Sequence, residues 1–199
     1  WGTGDRANDW HDAAQRLGNH VLSHCERWLI VVEGNAGKGG EGDCSPYGCW
    51  WGENLVGHRD DPIVLSVPNR VVLSPHLYGH GNHNYMSNAD FPNNLPTVWD
   101  QLWGRVHQDQ GYPILVGEWG GHLNETVWGG RTYPATWVWQ NALLDYMIDR
   151  RISGFAYWTL NDNSFRTGSL MDESNAPKWA MLGRAPVTSV ASLQAQWTG

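Results

Sequence analysis

The chain has 199 residues and a formal net charge of -7, from 20 acidic and 13 basic residues. That length predicts a single domain over residues 1–199 with a sizeable core. The acidic balance argues against nucleic acid or an anionic membrane surface as the main partner. The sequence contains no apolar run long enough for a membrane span and no signal-peptide pattern after Trp1, so neither is predicted.

Tryptophan is the unusual residue, with 14 Trp against only 3 Phe. Any single Trp is best explained by core packing. The excess as a set indicates carbohydrate, because an indole offers a broad apolar face that stacks on sugar rings. The 24 Gly and 10 Pro predict long loops, which commonly carry binding and catalytic residues.

Helical and strand patterns alternate along the chain. Continuous apolar runs predict buried parallel strands at 28–32, 71–77, 114–116 and 155–160. Apolar residues at helical spacing precede three of these strands, and Thr136 is a predicted N-cap for the last of the three helices. Those residues are Trp10, Ala14, Leu17 and Val21; Val98, Leu102 and Val106; and Trp139, Leu143 and Met147. A final helix is expected over 187–196.

The spacing of the strands limits the architecture. Their starts, taken at 28, 71, 114 and 154, recur every 40 to 43 residues. A complete eight-stranded βα barrel needs about 250 residues. The chain therefore holds four βα units, as an open α/β sheet or as half of a barrel.

The three cysteines suggest one local disulfide. Cys44 and Cys49 are five residues apart in a loop rich in Gly, Pro and Trp, and a bond between them would be typical of an oxidising compartment. Cys25 lies in a helical pattern and is expected to be a buried free thiol. A zinc site made from the three is a weaker interpretation, because no paired CxxC spacing is present.

Each predicted strand ends in polar and aromatic residues. The carboxyl ends of parallel strands meet at one rim, which is the functional side of such architectures. The rim residues are Glu33, His76, Tyr78, Glu118, Trp119, Trp158 and Asn161. Two carboxylates beside an aromatic platform suffice to cleave a glycosidic bond, since one attacks or stabilises the anomeric carbon and the other protonates the leaving oxygen.

Seven short motifs, in a fixed order, carry a family resemblance. They are Tyr-Gly-Cys-Trp-Trp-Gly at 47–52, Leu-Ser-Val-Pro-Asn-Arg at 65–70, Ser-Pro-His-Leu-Tyr-Gly at 74–79, Phe-Pro-Asn-Asn at 91–94, Gly-Glu-Trp-Gly-Gly at 117–121, Leu-Asp-Tyr at 144–146 and Tyr-Trp-Thr-Leu-Asn at 157–161. Together they resemble the C-terminal half of glycoside hydrolase family 5, in particular its endo-β-1,4-glucanase (cellulase) branch.

The resemblance implies a fold and a reaction. The four strands are similar to strands 5–8 of the family's TIM barrel, so an open half-barrel is expected. The implied reaction is retaining hydrolysis of a β-glucan by an extracellular enzyme without metal or cofactor. Glu118 matches the nucleophile, His76 and Tyr78 line the cleavage subsite, and Trp158 stacks on the sugar. The remaining expected sugar contacts are Trp50, Trp51, Trp119 and Asn161.

One family motif is missing. The acid/base of the family is the Glu of an Asn-Glu-Pro motif, which this sequence lacks; Glu125 follows an Asn but precedes Thr126. We hypothesise that Glu33 supplies the proton, with burial or the negative Glu118 raising its pKa. The competing interpretation is that Glu33 only holds the rim together. His76 and Asp162 are weaker candidates.

Several alternatives stay open. The chain could be a non-catalytic glucan-binding fragment, or could act on another β-glycan such as mannan or xyloglucan. One of Trp50 and Trp51 could instead pack its loop onto the sheet. Exposed edges of a half-barrel predict a homodimer. A metal at His76, His80 and His83 is possible by spacing, but a solvated loop is the stronger interpretation.

Overall fold

A computed structural model describes residues 1, 3–36, 44, 46–80, 84–152, 154–161 and 164–185. The helix expected over 187–196 lies outside the described residues, as do His83 and Asp162. The helices are α1 (Trp10–His24), α2 (Val56–Asp60), α3 (Leu95–Trp99), α4 (Arg105–Gln110), α5 (Trp137–Asp149) and α6 (Ala176–Leu182). The strands are β1 (Ile30–Glu33), β2 (Val71–Ser74), β3 (His76–Tyr78), β4 (Leu115–Gly120), β5 (Thr126–Trp128), β6 (Arg131–Tyr133) and β7 (Gly154–Tyr157).

The long strands form parallel pairs in chain order. β1 pairs with β2, β3 with β4, and β4 with β7. A parallel bridge between Leu73 and Ile114 joins β2 to the start of β4. In the described part of the chain, β1 and β7 each pair with one strand, so the sheet is open and not closed into a barrel. The predicted half-barrel of parallel βα units is confirmed.

Strand bounds differ from the predicted apolar runs. The predicted strand over 71–77 is divided into β2 and β3 at Pro75, since proline has no N–H for the ladder. The fourth strand ends at Tyr157, three residues earlier than expected. The first begins at Ile30, which leaves Trp28 and Leu29 exposed before it.

The helices cover the sheet, with two departures from the predicted pattern. Asp9 caps α1 by accepting a hydrogen bond from the Asp12 N–H. The buried residues of α1 are Ala14, Gly18 and Leu22, whereas Leu17 is 60% exposed, so the predicted apolar face was wrong at that position. Thr136 precedes α5 as expected, but its side chain does not cap the helix.

The unpredicted elements include α2, α6, the β5–β6 hairpin and a 3₁₀ turn over Asn84–Ser87. Another unexpected stretch is the π-helical turn over Asp100–Gly104, which interrupts the helix expected around Leu102. In that turn Asp100 accepts hydrogen bonds from Tyr146 of α5 and from Arg150, the residue that follows α5, which ties the turn to the end of that helix.

Tryptophan serves both core and surface. Trp99, Trp103, Trp119 and Trp139 are fully buried. In contrast, Trp28, Trp51, Trp158 and Trp179 each expose at least 45% of their surface. The excess of tryptophan is therefore due partly to packing, and the four fully buried members are not available to a ligand.

Candidate active site

Glu33, His76, Tyr78 and Glu118 meet at the carboxyl end of the parallel strands. His76 lies opposite Glu118 in the β3–β4 register. His76 Nδ1 is 3.0 Å from Glu33 Oε1 and 3.8 Å from Glu118 Oε1. These two carboxylate oxygens therefore lie no more than about 7 Å apart, and both approach the same imidazole nitrogen. The structure brings together the two acids that the sequence predicted for this rim.

Tyr78 orients Glu118. Its hydroxyl donates a hydrogen bond of 2.9 Å to Glu118 Oε2. Burial, together with the neighbouring Glu118 carboxylate, raises the pKa of the Tyr78 phenol well above its ordinary value. The phenol consequently stays protonated and remains a donor, which fixes one oxygen of Glu118 and leaves the other directed toward His76.

Two glycines permit this close arrangement. A Cβ at Gly117, the residue before Glu118, would overlap the His76 ring and the Ser74 hydroxyl. Gly52 has a φ of +85°, and a Cβ there would overlap the Glu33 carboxylate. The Gly52 carbonyl also accepts a hydrogen bond of 3.1 Å from the His76 N–H. The segment around Gly52 therefore contacts both Glu33 and His76 at the rim.

A disulfide directly precedes Trp50 and Trp51, which lie beside the carboxylates. Cys44 and Cys49 are bonded, as the sequence suggested, whereas Cys25 is free and only half-buried. Trp50 follows the bridge, and its ring lies 5.4 Å from that of Tyr78 in an edge-on contact. Trp51 stacks on Trp50 with ring centroids 6.4 Å apart and is 76% exposed. Trp50 therefore packs toward the site while Trp51 faces solvent.

Trp158 is held by its backbone and exposes its ring. Its N–H donates to the Trp119 carbonyl at 2.8 Å, directly after β7 ends, and the indole is 45% exposed. Asn161 is exposed as well, and its Oδ1 accepts a hydrogen bond of 2.7 Å from the Thr159 hydroxyl. Both residues are therefore accessible near the end of the fourth long strand.

Trp119 is not available to a ligand. Its side chain is fully buried and packs edge-on against Phe155 and Tyr157. Neighbouring residues on a strand face opposite sides, so the strand that directs Glu118 to the site directs Trp119 into the core. The prediction of Trp119 as a sugar contact was wrong on this geometry.

The surroundings of Glu33 differ from the buried environment that was predicted for a general acid. Its side chain is 46% exposed, more than the 33% of Glu118, and the His76 ring lies against its carboxylate. Glu33 is therefore less buried than Glu118, and its carboxylate is accessible to solvent.

Two buried ionisable residues near the rim escaped sequence reasoning. Glu53 is completely buried, and burial raises its pKa to about 8. Lys178 is also completely buried; burial lowers its pKa to about 8, and its Nζ donates to the Thr167 carbonyl at 2.7 Å. Neither residue ends a strand, so the pattern that identified the rim gave no signal for them.

The described residues contain no group of three His, Cys, Asp or Glu arranged to hold a metal ion. His83, part of the possible metal set, is outside them. Within the same residues, no helix has the length and apolar character needed to cross a membrane.

Comparison with known proteins gives consistent matches. Residues 1–164 match the family model described as cellulase (glycosyl hydrolase family 5). An endoglucanase of Paenibacillus polymyxa is 45% identical over 200 aligned positions, which cover 96% of this chain and 48% of that protein. The major extracellular endoglucanase of Xanthomonas campestris pv. campestris is 34% identical, with 97% of this chain and 37% of that protein covered.

A solved structure agrees with the sequence matches. An endocellulase variant from Pyrococcus horikoshii, in complex with cellotetraose, superposes with a TM-score of 0.79 and 36% identity, covering 93% of this chain and 50% of that one. The chain spans half or less of the length of the relatives it matches. From the family match over residues 1–164 and the shared parallel βα fold, the chain belongs to glycosyl hydrolase family 5, the cellulase family.

Proposed function

We propose that this chain carries the nucleophile side of a retaining endo-β-1,4-glucanase site that acts on cellulose or soluble β-glucan. The supporting observation is the Tyr78 hydroxyl held 2.9 Å from Glu118 Oε2 at the carboxyl end of the parallel strands. A nucleophilic carboxylate must keep one oxygen aimed at the anomeric carbon, and a bond to its other oxygen provides that orientation.

In this reaction Glu118 Oε1 attacks the anomeric carbon as the glycosidic bond breaks, and the leaving oxygen takes a proton from an acid. The resulting glycosyl-enzyme ester is then hydrolysed by water, with the same acid/base residue accepting the water's proton. The exposed indole of Trp158 offers a stacking surface for the sugar ring beside the nucleophile.

Glu33 is our candidate for the acid. It lies on the same rim, is accessible, and shares His76 with Glu118. The other possible source is a carboxyl group from a segment outside this sequence, because the relatives are about twice as long. In that case Glu33 holds His76 in place and transfers no proton.

An activated fluoro-sugar tests the nucleophile without needing the acid. Dinitrophenolate leaves without protonation, and fluorine at C2 slows hydrolysis of the ester. We therefore expect 2,4-dinitrophenyl 2-deoxy-2-fluoro-β-cellobioside to add one cellobiosyl unit to the chain, located on Glu118 by peptide mass spectrometry. Glu118→Gln should take no label, and Glu125→Gln, at an exposed glutamate, should label normally. A label on another residue, or none on folded protein, overturns the assignment.

Release of reducing sugar tests the acid. Loss of a general acid costs about 10²- to 10⁴-fold in rate on an unactivated bond. If Glu33 is the acid, Glu33→Gln should lose activity on carboxymethyl cellulose by this factor while retaining fluoro-sugar labelling. Activity near wild type on carboxymethyl cellulose would refute the role.

A non-catalytic glucan-binding role is the second candidate. It is favoured by the exposed indoles of Trp51 and Trp158 in a sequence without the Asn-Glu-Pro motif. This role predicts retention of cellotetraose binding with neither turnover nor labelling. Parallel assays on mannan and xyloglucan distinguish other β-glycans from β-1,4-glucan.

We also propose an extracellular location and self-association. A disulfide between Cys44 and Cys49 suits an oxidising compartment, and the Xanthomonas relative is named as extracellular. The open β1 edge carries the exposed apolar residues Leu29 and Val31, which a second copy could cover. Light scattering should then give a dimer at working concentration; a monomer rejects the association.

A further inference from the structure

Glu53 is a fully buried glutamate in the aromatic segment, which we define as residues 50–54. Its Oε2 accepts a 2.7 Å hydrogen bond from the Trp50 N–H, and its own N–H donates to the Trp50 carbonyl at 3.2 Å. The Tyr85 hydroxyl lies 3.5 Å from Glu53 Oε1. A carboxyl group taken out of water is costly unless it is bonded, so this position calls for an explanation.

The contacts of Glu53 lead to the site through Trp50. The backbone N–H that Glu53 binds belongs to the residue whose ring packs against Tyr78, 5.4 Å between centroids. Tyr78 in turn donates to Glu118. Trp51, stacked on Trp50, is directed outward with 76% of its surface exposed. The conformation at Trp50 therefore determines where the outer indole lies relative to the carboxylates.

The other end of the aromatic segment is fixed to the strands. Asn54 and Asn35 exchange two backbone hydrogen bonds of 3.0 and 3.2 Å just beyond β1, and the Gly52 carbonyl accepts from the His76 N–H. These bonds hold residues 52–54 but do not reach Trp50 and Trp51. Glu53 connects this attachment to Trp50, because its side chain accepts the hydrogen bond from the Trp50 N–H.

We propose that Glu53 is a positioning residue for glucan, holding Trp50 and Trp51 as a sugar platform next to Glu118. The proposal rests on the proposed glucanase function and adds to it a residue that touches neither the sugar nor the reacting atoms. Glu53 should therefore affect the binding of a glucan that is long enough to reach Trp51.

Replacing Glu53 with Gln or with Leu distinguishes the effect of its hydrogen bond from the effect of its side-chain volume. A Gln side chain can accept from the Trp50 N–H and donate to the Tyr85 hydroxyl, like a protonated carboxyl group. A Leu side chain fills similar space without an acceptor. Glu125→Leu places the same change on an exposed glutamate and is the matched control.

The first readout is spectroscopic and independent of sugar. Two neighbouring indoles give an exciton couplet in far-ultraviolet circular dichroism, and the part of the couplet that Trp51→Phe removes is assigned to Trp50 and Trp51, apart from that of Trp99 and Trp139. Glu53→Leu should lose at least half of that couplet, whereas Glu53→Gln and Glu125→Leu should keep it. A full couplet in folded Glu53→Leu overturns the proposal, whether or not the protein binds glucan.

The second readout is cellotetraose affinity by calorimetry, with every variant in the Glu118→Gln background to prevent turnover. We expect Glu53→Leu to raise Kd about tenfold, equivalent to ~1.4 kcal/mol, and Glu53→Gln to stay within about twofold. Unchanged affinity in Glu53→Leu refutes the inference alone. If the background protein itself fails to bind cellotetraose, the proposed function fails, and the couplet still decides the role of Glu53.

Discussion

Replacing Glu53 with Gln should abolish a pH-dependent loss of stability in the wild-type protein. The buried carboxyl has a pKa raised by burial from 4.5 to about 8, against the opposing effect of the Trp50 N–H bond. In the unfolded chain the same group ionises near its ordinary value. Between these two pKa values the folded protein keeps a proton that the unfolded chain has released.

The magnitude follows from proton linkage. Each pH unit in that interval lowers the free energy of unfolding by about 1.4 kcal/mol. The stabilisation is complete below pH 4.5 and is lost as the pH rises to about 8, for a total on the order of 5 kcal/mol. That amount is comparable with the whole stability of many small domains, so wild-type protein should be markedly less stable in alkaline buffer.

A second buried group, His58, changes the stability with pH in the opposite direction. Burial, reinforced by the nearby His11, lowers the pKa of His58 from 6.5 to about 4, so its contribution makes stability rise with pH over that range. The two effects compensate each other between about pH 4.5 and 6.5 in the wild type. Comparing variants that both retain His58 cancels its contribution.

Urea unfolding at pH 5 and pH 8, followed by circular dichroism, measures the difference. Wild type should lose several kcal/mol relative to Glu53→Gln between these two conditions, with similar m-values. Glu125→Gln is the control for removing a carboxyl group from the surface, and its curve should follow wild type. Parallel pH dependences in wild type and Glu53→Gln would show that the buried group does not retain its proton.

Three further changes have defined outcomes. Tyr78→Phe removes a hydrogen bond to the Glu118 carboxylate worth about 1.5–3 kcal/mol, so kcat/KM on soluble β-glucan should fall roughly 10- to 150-fold, and an unchanged value refutes the orienting role. Reducing the Cys44–Cys49 bond should lower the free energy of urea unfolding by about 2 kcal/mol, whereas replacing the free cysteine should not. Gly117→Ala should cost about 1–3 kcal/mol and reduce fluoro-sugar labelling, because its Cβ would overlap the His76 ring; normal stability and labelling contradict that packing.

The rim was predictable because parallel strands align their carboxyl ends. Buried apolar runs located the strands, and the polar residues at their carboxyl ends include Glu33, His76 and Glu118, which lie together in the structure. The Gly-Glu-Trp-Gly-Gly motif led to the wrong assignment of Trp119 as a sugar contact, because a shared motif does not show which face of the strand a side chain occupies. The two-residue period of a strand does show this, and it places Glu118 and Trp119 on opposite faces.

Glu53 could not be identified from the positions of the strand ends or from the two-residue period of the strands. It lies in a loop without apolar periodicity, and its side chain meets Tyr85, which is distant in sequence and lies in a 3₁₀ turn over Asn84–Ser87 that was not predicted. Sequence patterns report periodic elements and residue types at their ends. They do not report that a carboxyl group is covered by side chains from other loops.

The shared histidine determines how a Glu33 variant must be interpreted. When His76 Nδ1 carries a proton, it has one N–H for two carboxylates, and Glu33 at 3.0 Å is closer than Glu118 at 3.8 Å. Removing the Glu33 carboxylate frees that N–H to turn toward Glu118 and to weaken it as a nucleophile. Lost activity on cellulose is therefore compatible with either role of Glu33. A lost acid slows only the unactivated bond, whereas a weakened nucleophile also slows labelling by the dinitrophenyl fluoro-sugar, so the ratio of the two rates distinguishes them.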